Sequence, residues 1–288
     1  MIVAELALYQ LARLLSRSQV AHSTEMKAAL RDQAANTAYR ADEMSRVLAA
    51  IDRYGLRIQG ADVLDLGCND GALTAQFAVR QPRSVLGVDV DAKAIARAQR
   101  ERAVPGVEYR VSATTQLPVA SESLDTIVSY DVFEHVEKPA VLLAECRRVL
   151  RPGGKMLIGS WGWYHPFAPH LWSTMPVPWA HVFVSERTLL RACHRVSLSP
   201  WYTPTHFELD ANGNRKTNAY TEESIPTSYL NKYFVRDFER VFMDSGLTWQ
   251  LDLQPFGAVP WTKPLLSLPV VREYFHGYFW AVLEKPHS

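Results

Sequence analysis

The chain has 288 residues, of which 48% are hydrophobic and 21% are charged, a composition that fits a globular protein and excludes a disordered one. The 31 basic and 30 acidic residues give a formal net charge of +1, so we expect no general attraction to nucleic acid or to an anionic membrane. The three cysteines, Cys68, Cys146 and Cys193, show neither a disulfide framework nor metal-ligand spacing and therefore favour a reducing compartment.

The N-terminal segment MIVAELALYQLARLLSRSQV has the apolar character of a signal peptide. However, Glu5 and Arg13 interrupt the apolar run, and its leucines recur at helical spacing, which predicts an amphipathic helix. No apolar run in the sequence approaches the roughly 20 residues that are needed to span a bilayer. We therefore predict a cytoplasmic protein without a membrane span, and a homodimer is left open.

Beyond a helical region at 1–58, short apolar strands alternate with helices. The predicted strands are 63–66, 84–88, 107–111, 124–129, 155–159, 248–255 and 278–283. The predicted helices are 71–79, 92–102, 139–150 and 229–245. Continuous apolar strands that alternate with helices are typical of a parallel sheet covered on both faces.

Residues 160–228 interrupt this alternation and are rich in Trp, Tyr, His and Pro. We interpret them as an insertion within a single domain, 1–288, that consists of a helical cover (1–58), a core (59–159), the insertion and a closing part (229–288). The insertion could be an aromatic lid that excludes water from an apolar acceptor, or a satellite core of buried aromatic rings. The spacing of four of its histidines, His165, His170, His181 and His194, matches no compact zinc pattern, so we predict no metal.

The stretch VLDLGCNDGAL, residues 63–73, passes from a strand through a glycine turn into a helix. A dinucleotide-binding loop needs glycine at the position of Asn69, where the backbone approaches the pyrophosphate. A Cβ at Asn69 would crowd two phosphates, and Asp65 favours a cationic ligand over an anionic one. The sulfonium and ammonium of S-adenosylmethionine are such cations, although a turn without any ligand remains the alternative.

The following strand, VLGVDVD, ends at Asp89, 22 residues after Gly67. An acid about 20 residues beyond a glycine turn accepts hydrogen bonds from ribose hydroxyls. The turn and Asp89 together predict an adenosine-ribose pocket at the carboxyl edge of the sheet.

Four segments, in this order, carry a resemblance to a known family: VLDLGCNDG, VLGVDVD, LPVASESLDTIVSYDVFEHV and LLAECRRVLRPGGKMLI. The chain closely resembles the class I S-adenosylmethionine-dependent methyltransferases, nearest their small-molecule branch, over residues 60–160 and again at 229–286. The resemblance implies an α/β fold with a Rossmann-like, seven-stranded, mostly parallel sheet and an antiparallel last strand, N-terminal helices and an inserted lid. It also implies S-adenosylmethionine as the cofactor and S-adenosylhomocysteine as its product.

The resemblance assigns roles to matching positions only. Asp65, Gly67 and Gly71 would shape the pocket around the methionine part of the cofactor, with Cys68 and Asn69 lining it. Asp89 would hold the ribose, Val90 would lie against the adenine, and Ser129 and Tyr130 would supply backbone near the methionyl group.

One position departs from the family pattern. In many relatives an acid after the third strand bonds the adenine amino group, whereas the matching residue here is Ala113. Either Thr114 and the neighbouring backbone take over this contact, or adenine is held more loosely.

Methyl transfer from a sulfonium is an in-line displacement in which positioning contributes about 7–11 kcal/mol and a general base roughly 3–5 kcal/mol. His135, after the fourth strand, is the first candidate base, while the alternative is that Glu134-His135 orders the loop. Asp131 and Glu134 are further acidic candidates, and Tyr164 and His165 in the insertion are catalytic candidates as well.

We therefore predict transfer of a methyl group from S-adenosylmethionine to a small, hydrophobic or aromatic metabolite. Oxygen is the favoured acceptor atom, with nitrogen and carbon as alternatives. Two rival functions are a nicotinamide-dependent oxidoreductase and a protein that binds the cofactor without transferring its methyl group.

Overall fold

The structure is a computed structural model, and it describes residues 2–16, 28–29, 32–205, 208–209, 220, 222–257 and 260–287. Contacts divide the chain into two units. The core unit comprises 44–162, 227–254 and 278–288, and the second unit comprises the described residues of 1–43, 163–226 and 255–277. The division of a single domain into a helical cover, a core, a lid and a closing part remains a prediction.

A seven-stranded sheet with the spatial order β3-β2-β1-β4-β5-β7-β6 organises the fold. Its strands are β1 (Asp62–Leu66), β2 (Ser84–Asp89), β3 (Val107–Val111), β4 (Leu124–Tyr130), β5 (Leu150–Ser160), β6 (Thr248–Pro255) and β7 (His276–Glu284). Strands β1 to β5 pair in parallel, and β7 pairs antiparallel with β5. The predicted mostly parallel sheet with an antiparallel last strand is confirmed.

Helices lie on both faces of the sheet, as continuous apolar strands require. The helices are α1 (Ile2–Leu15), α2 (Gln33–Arg53), α3 (Ala72–Phe77), α4 (Ala92–Glu101), α5 (Pro139–Val149), α6 (Ala180–Phe183), α7 (Glu186–Ser197), α8 (Val235–Asp244) and α9 (Pro269–Phe275). One core cluster joins the sheet to α5 and α8, and a second joins it to α3 and the C-terminal half of α2. Both sheet faces are therefore buried.

Two predicted boundaries differ from the structure. The segment Arg151-Pro152-Gly153-Gly154 was expected between a helix and a strand, but it is already part of β5, and the pairing of β4 with β5 shifts register there. The predicted helix 229–245 begins only at Val235, where the Asp237 carboxylate accepts the Phe234 N–H. Residues 229–234 are instead irregular, and they contact the loop that follows β4.

In the second unit, α1 packs against α7, and Arg195 on α7 donates to Glu5 on α1 at 3.0 Å. The predicted helical cover, 1–58, is therefore divided between the two units, because residues 44–53 of α2 bury their apolar side chains in the core unit. A 3₁₀ helix, Pro260–Ser267, and α9 complete the second unit.

All three cysteines are buried free thiols. Burial raises the pKa of each thiol, so each stays protonated and unreactive at neutral pH. Across the described residues, each helix is too short or too polar to cross a bilayer.

Candidate cofactor site

A cavity of about 320 Å³ lies in the core unit at the carboxyl ends of β1, β2 and β4. Ligands of open α/β sheets bind at this edge, and the volume is within the range of small-molecule pockets. The lining residues are Leu66, Gly67, Asn69, Val88, Asp89, Val90, Ser112, Ala113, Thr114, Asp131, Val132, His135, Val136 and Leu142.

Two glycines shape the turn between β1 and α3. Gly67 has φ +79°, and a Cβ there would overlap the Val132 side chain. Gly71 has φ +76°, and a Cβ there would lie 2.5 Å from the Tyr109 ring. Both positions thus need glycine because of the backbone conformation and because a side chain packs against them. The approach of a phosphate group is not needed to explain either glycine. Asn69 lies between them at φ +49°, which Asn tolerates better than most residues.

The Asp89 carboxylate is fixed by two backbone donors. The N–H of Asn69 donates to Oδ2 at 2.9 Å, and the N–H of Asp91 donates to Oδ1 at 2.9 Å. The first of these bonds ties the glycine turn to the end of β2. Because a carboxylate has about four acceptor sites, Asp89 can still accept hydroxyl groups from the cavity.

Small and apolar groups surround the part of the cavity next to Asp89. Val90 is 64% exposed, which leaves its side chain available to a flat ring. Ser112, Ala113 and Thr114 follow β3, and the N–H of Ser112 donates to the Asp89 carbonyl at 2.9 Å. The side chain of Ala113 offers no hydrogen bond, so the polar groups on this wall are the Ser112 and Thr114 hydroxyls and the backbone.

Asp65 lies beneath the glycine turn and does not line the cavity. Its side chain is buried, and its Oδ2 accepts the Thr74 hydroxyl at 2.6 Å. Burial raises the pKa of Asp65 to about 7, and the charge of Asp89 adds to this effect. Cys68, Gly71, Ser129 and Tyr130 also lie outside the lining set, and the predicted roles of these residues stay predictions.

The raised pKa of Asp65 predicts a pH dependence of stability. Between about pH 4 and pH 7 the unfolded chain carries Asp65 as a carboxylate while the folded chain keeps the proton, so the free energy of unfolding falls as pH rises. Asp65→Asn should remove this loss. We expect the variant to gain a few kcal/mol relative to the parent protein between pH 4 and pH 7, since one pKa unit is about 1.4 kcal/mol. Urea unfolding at several pH values measures the difference, and a difference independent of pH would contradict the prediction.

His135 lines the cavity at the end of a 3₁₀ turn, Phe133–His135. Its Nδ1 lies 2.6 Å from the Tyr229 carbonyl oxygen. A carbonyl only accepts hydrogen bonds, so Nδ1 carries the proton, and in the neutral ring the lone pair is on Nε2. This tautomer is the one that a general base acting through Nε2 requires.

Glu134 is buried and is not among the residues that line the cavity. Its Oε2 accepts the Ser160 hydroxyl at 2.6 Å, and burial raises the pKa of this carboxyl group. This geometry indicates a structural role for Glu134 in the loop after β4.

Asn231 fixes the same loop and is not among the residues predicted from the sequence. Its Nδ2 donates to the carbonyls of Phe133 and Val136 at 2.6 and 2.9 Å. Its own N–H donates to the Glu134 carbonyl at 2.9 Å. An isolated Asn in an unpatterned segment carries no local signal of such a role.

The remaining catalytic candidates, Tyr164 and His165, belong to the second unit. The Tyr164 ring stacks on Tyr274 with centroids 4.6 Å apart, and His165 Nδ1 accepts the Phe167 N–H at 3.1 Å. Burial lowers the pKa of His165 well below its usual value, with neighbouring histidines adding to the effect, so the ring is neutral. Their catalytic roles stay predictions.

Comparison with known proteins gives a consistent result. The sequence profile of a family described as Methyltransferase domain matches residues 64–158. A Mycolicibacterium smegmatis protein named "Probable S-adenosylmethionine-dependent methyltransferase" is 35% identical over 108 residues, which are 38% of this chain and 41% of that protein. A ubiquinone biosynthesis O-methyltransferase of Cereibacter sphaeroides is 35% identical over 107 residues, 36% of this chain and 43% of that protein. The chain thus spans less than half the length of these curated relatives.

The solved structure of geranyl diphosphate methyltransferase in complex with S-adenosylmethionine shares the fold, with a TM-score of 0.53 and 16% identity over 84% of this chain and 85% of that chain. The fold and the cavity define an α/β domain with a ligand-sized cavity at the carboxyl edge of its sheet. Residues 64–158 thus match a methyltransferase domain, and the relatives that share this part of the chain include a protein named as an S-adenosylmethionine-dependent methyltransferase.

Proposed function

We propose that this protein transfers a methyl group from S-adenosylmethionine to a small, hydrophobic or aromatic metabolite, with oxygen as the favoured acceptor atom. The main support is Asp89, a carboxylate oriented by two backbone N–H groups at the wall of a cavity of suitable volume. The name of the Cereibacter relative, an O-methyltransferase, supports oxygen. The near-neutral charge supports a small-molecule partner, and the free cysteines support a cytoplasmic location.

The lining residues fit this cofactor. Asp89 accepts the ribose hydroxyls, while Val90, Ala113 and Thr114 surround the adenine. Gly67 and Asn69 present backbone groups on the side of β1. When bound, S-adenosylmethionine supplies a methyl group attached to a sulfonium, which is already an activated leaving group.

His135 accepts the acceptor's proton in this proposal. As the acceptor oxygen forms its bond to the methyl carbon, its O–H bond breaks and the proton moves to Nε2 of His135. The Tyr229 carbonyl, which holds Nδ1–H at 2.6 Å, then faces the N–H of an imidazolium and stabilises its charge.

His135→Asn tests this role, because the Asn amide can still donate to the Tyr229 carbonyl but cannot act as a base. We expect single-turnover methyl transfer to slow by about 10²–10⁴-fold. The affinity for S-adenosylhomocysteine should stay within about threefold, because the loop remains ordered. A rate loss below about tenfold would show that His135 only orders the loop.

A screen with a labelled methyl donor and a panel of hydroxylated aromatic and hydrophobic compounds tests the proposed function itself. Labelled product supports it, whereas tight binding of S-adenosylhomocysteine without any product favours the rival of a binding protein. The alternative of a nicotinamide-dependent oxidoreductase is not favoured, because the family that matches residues 64–158 is a methyltransferase domain.

A further inference from the structure

Asp131 follows β4 and is the second carboxylate among the residues that line the cavity, after Asp89. Asp89 ends β2, and β1 lies between β2 and β4. Neighbouring strands are about 4.8 Å apart, so the two acids stand roughly 10 Å apart at the same edge of the sheet. A ligand that contacts both is elongated, with hydrogen-bond donors at one end and donors or a positive charge at the other.

A tyrosine from the antiparallel strand holds the Asp131 side chain. The Tyr278 hydroxyl on β7 donates to Asp131 Oδ1 at 2.7 Å. Burial, together with the Asp131 carboxylate, raises the pKa of Tyr278 well above its usual value, so its hydroxyl remains a donor at neutral pH.

The backbone of Asp131 is held as well. It has φ +54°, a left-handed conformation that Asp tolerates, and its N–H donates to the Gly159 carbonyl on β5 at 3.0 Å. Strand β5 thus fixes the backbone of Asp131, and β7 fixes its carboxylate.

Gly159 also makes room for the tyrosine. A Cβ at Gly159 would lie 2.5 Å from the Tyr278 hydroxyl oxygen and 2.6 Å from the Trp280 ring. The Tyr278 ring packs against Tyr130, Trp161 and Trp280, with centroid distances of 5.9, 5.9 and 5.1 Å. The orientation of the hydroxyl is therefore set by the packing of its ring.

We propose that Tyr278 is a positioning residue that directs the Asp131 carboxylate to the ammonium group of S-adenosylmethionine. This inference rests on the proposed function and adds to it a specific charge contact and the residue that orients it. Asp89 then holds the ribose end of the cofactor, and Asp131 holds the amino-acid end.

The test compares two probes by calorimetry: S-adenosylhomocysteine, which carries the ammonium, and 5′-methylthioadenosine, which lacks the amino-acid portion. Asp131→Asn should lower the affinity for S-adenosylhomocysteine by about tenfold or more and change the affinity for methylthioadenosine by less than about twofold. Only S-adenosylhomocysteine loses a charge-assisted hydrogen bond in this variant. Asn also tolerates the left-handed backbone, so this variant should fold.

Tyr278→Phe should lower the affinity for S-adenosylhomocysteine by about three- to tenfold and leave the affinity for methylthioadenosine unchanged. In the Asp131→Asn background, Tyr278→Phe should lower the affinity for S-adenosylhomocysteine by less than about twofold more, because the tyrosine acts through the aspartate. Tyr54→Phe is the matched control, because Tyr54 also donates a hydrogen bond to an aspartate, Asp252, at 2.5 Å. Neither Tyr54 nor Asp252 lines this cavity. We expect Tyr54→Phe to leave both affinities unchanged.

Equal losses for the two probes in Asp131→Asn would overturn the ammonium contact. Additive losses in the double variant would overturn the positioning role of Tyr278. If the parent protein binds neither probe at millimolar concentration, the proposed function itself fails. Normal binding of both probes by Asp131→Asn would overturn the further inference alone.

Discussion

Gly67→Ala is expected to destabilise the protein by about 2–5 kcal/mol and to weaken S-adenosylhomocysteine by more than tenfold. The left-handed backbone at φ +79° costs a residue with a Cβ about 1–2 kcal/mol, and overlap with Val132 adds about 1–3 kcal/mol. Relief of this overlap moves the turn, whose Asn69 N–H holds Asp89. Urea unfolding and calorimetry measure the two effects.

Gly60→Ala separates these two causes. Gly60 also has a positive φ, +64°, but a Cβ there would have no atom within 4 Å. Gly60→Ala should therefore lower the free energy of unfolding by only about 1–2 kcal/mol and leave the affinity for S-adenosylhomocysteine unchanged. Val132→Ala in the Gly67→Ala background should recover the steric part of the loss. If Gly60→Ala and Gly67→Ala are equally destabilising, packing against Val132 is not what requires glycine.

Asp89→Asn is expected to weaken S-adenosylhomocysteine by about 100-fold while leaving a folded protein. The carboxylate accepts two backbone N–H groups and, in our proposal, the ribose hydroxyls, and hydrogen bonds to a charged acceptor contribute about 1.5–3 kcal/mol each. The amide has only one acceptor oxygen, so one backbone donor loses its partner and the ribose contact weakens.

The matched control for this variant is the nearby Asp91→Asn. Asp91 caps α4 by accepting the Lys93 N–H at 2.8 Å, and Asn is an equally good N-cap. We expect its affinity to remain within about threefold of the parent protein. A similar loss in both variants would mean that the charge near α4, rather than the Asp89 contact, determines binding.

The parts of the site that sequence predicts are those fixed by short-range geometry. A strand, a glycine turn and an acid 22 residues later define positions on two adjacent parallel strands, so Gly67, Asn69 and Asp89 could be placed on the cavity. The order of the segments likewise indicates where Ala113, Thr114 and His135 lie, because each follows a strand that ends at the same edge.

Contacts between distant segments could not be predicted in this way. Tyr278 and Asp131 are 147 residues apart, and their hydrogen bond exists only because β7 inserts beside β5. Asn231 reaches the loop after β4 from an irregular segment for which the sequence predicts a helix. The partner of α1 was also beyond prediction, since an amphipathic face does not specify what covers it.

One missed element did carry a local signal. The sequence ERTLLRACHRVS forms α7, with Ser185 accepting the Thr188 N–H as its N-cap. Leu189, Cys193 and Val196 are buried at helical spacing, as expected for an amphipathic helix. The abundance of aromatic residues around this segment obscured its periodicity.

The position of β7 in the interior of the sheet has a consequence for synthesis on the ribosome. Strand β6 is made before β7 but lies outside it, so β6 has no neighbour in the sheet until residues 276–284 leave the exit tunnel. Until then the nascent chain presents the unpaired edge of β5, a template for association with other chains. A chain that ends before β7 should therefore associate through this edge more readily than the full chain.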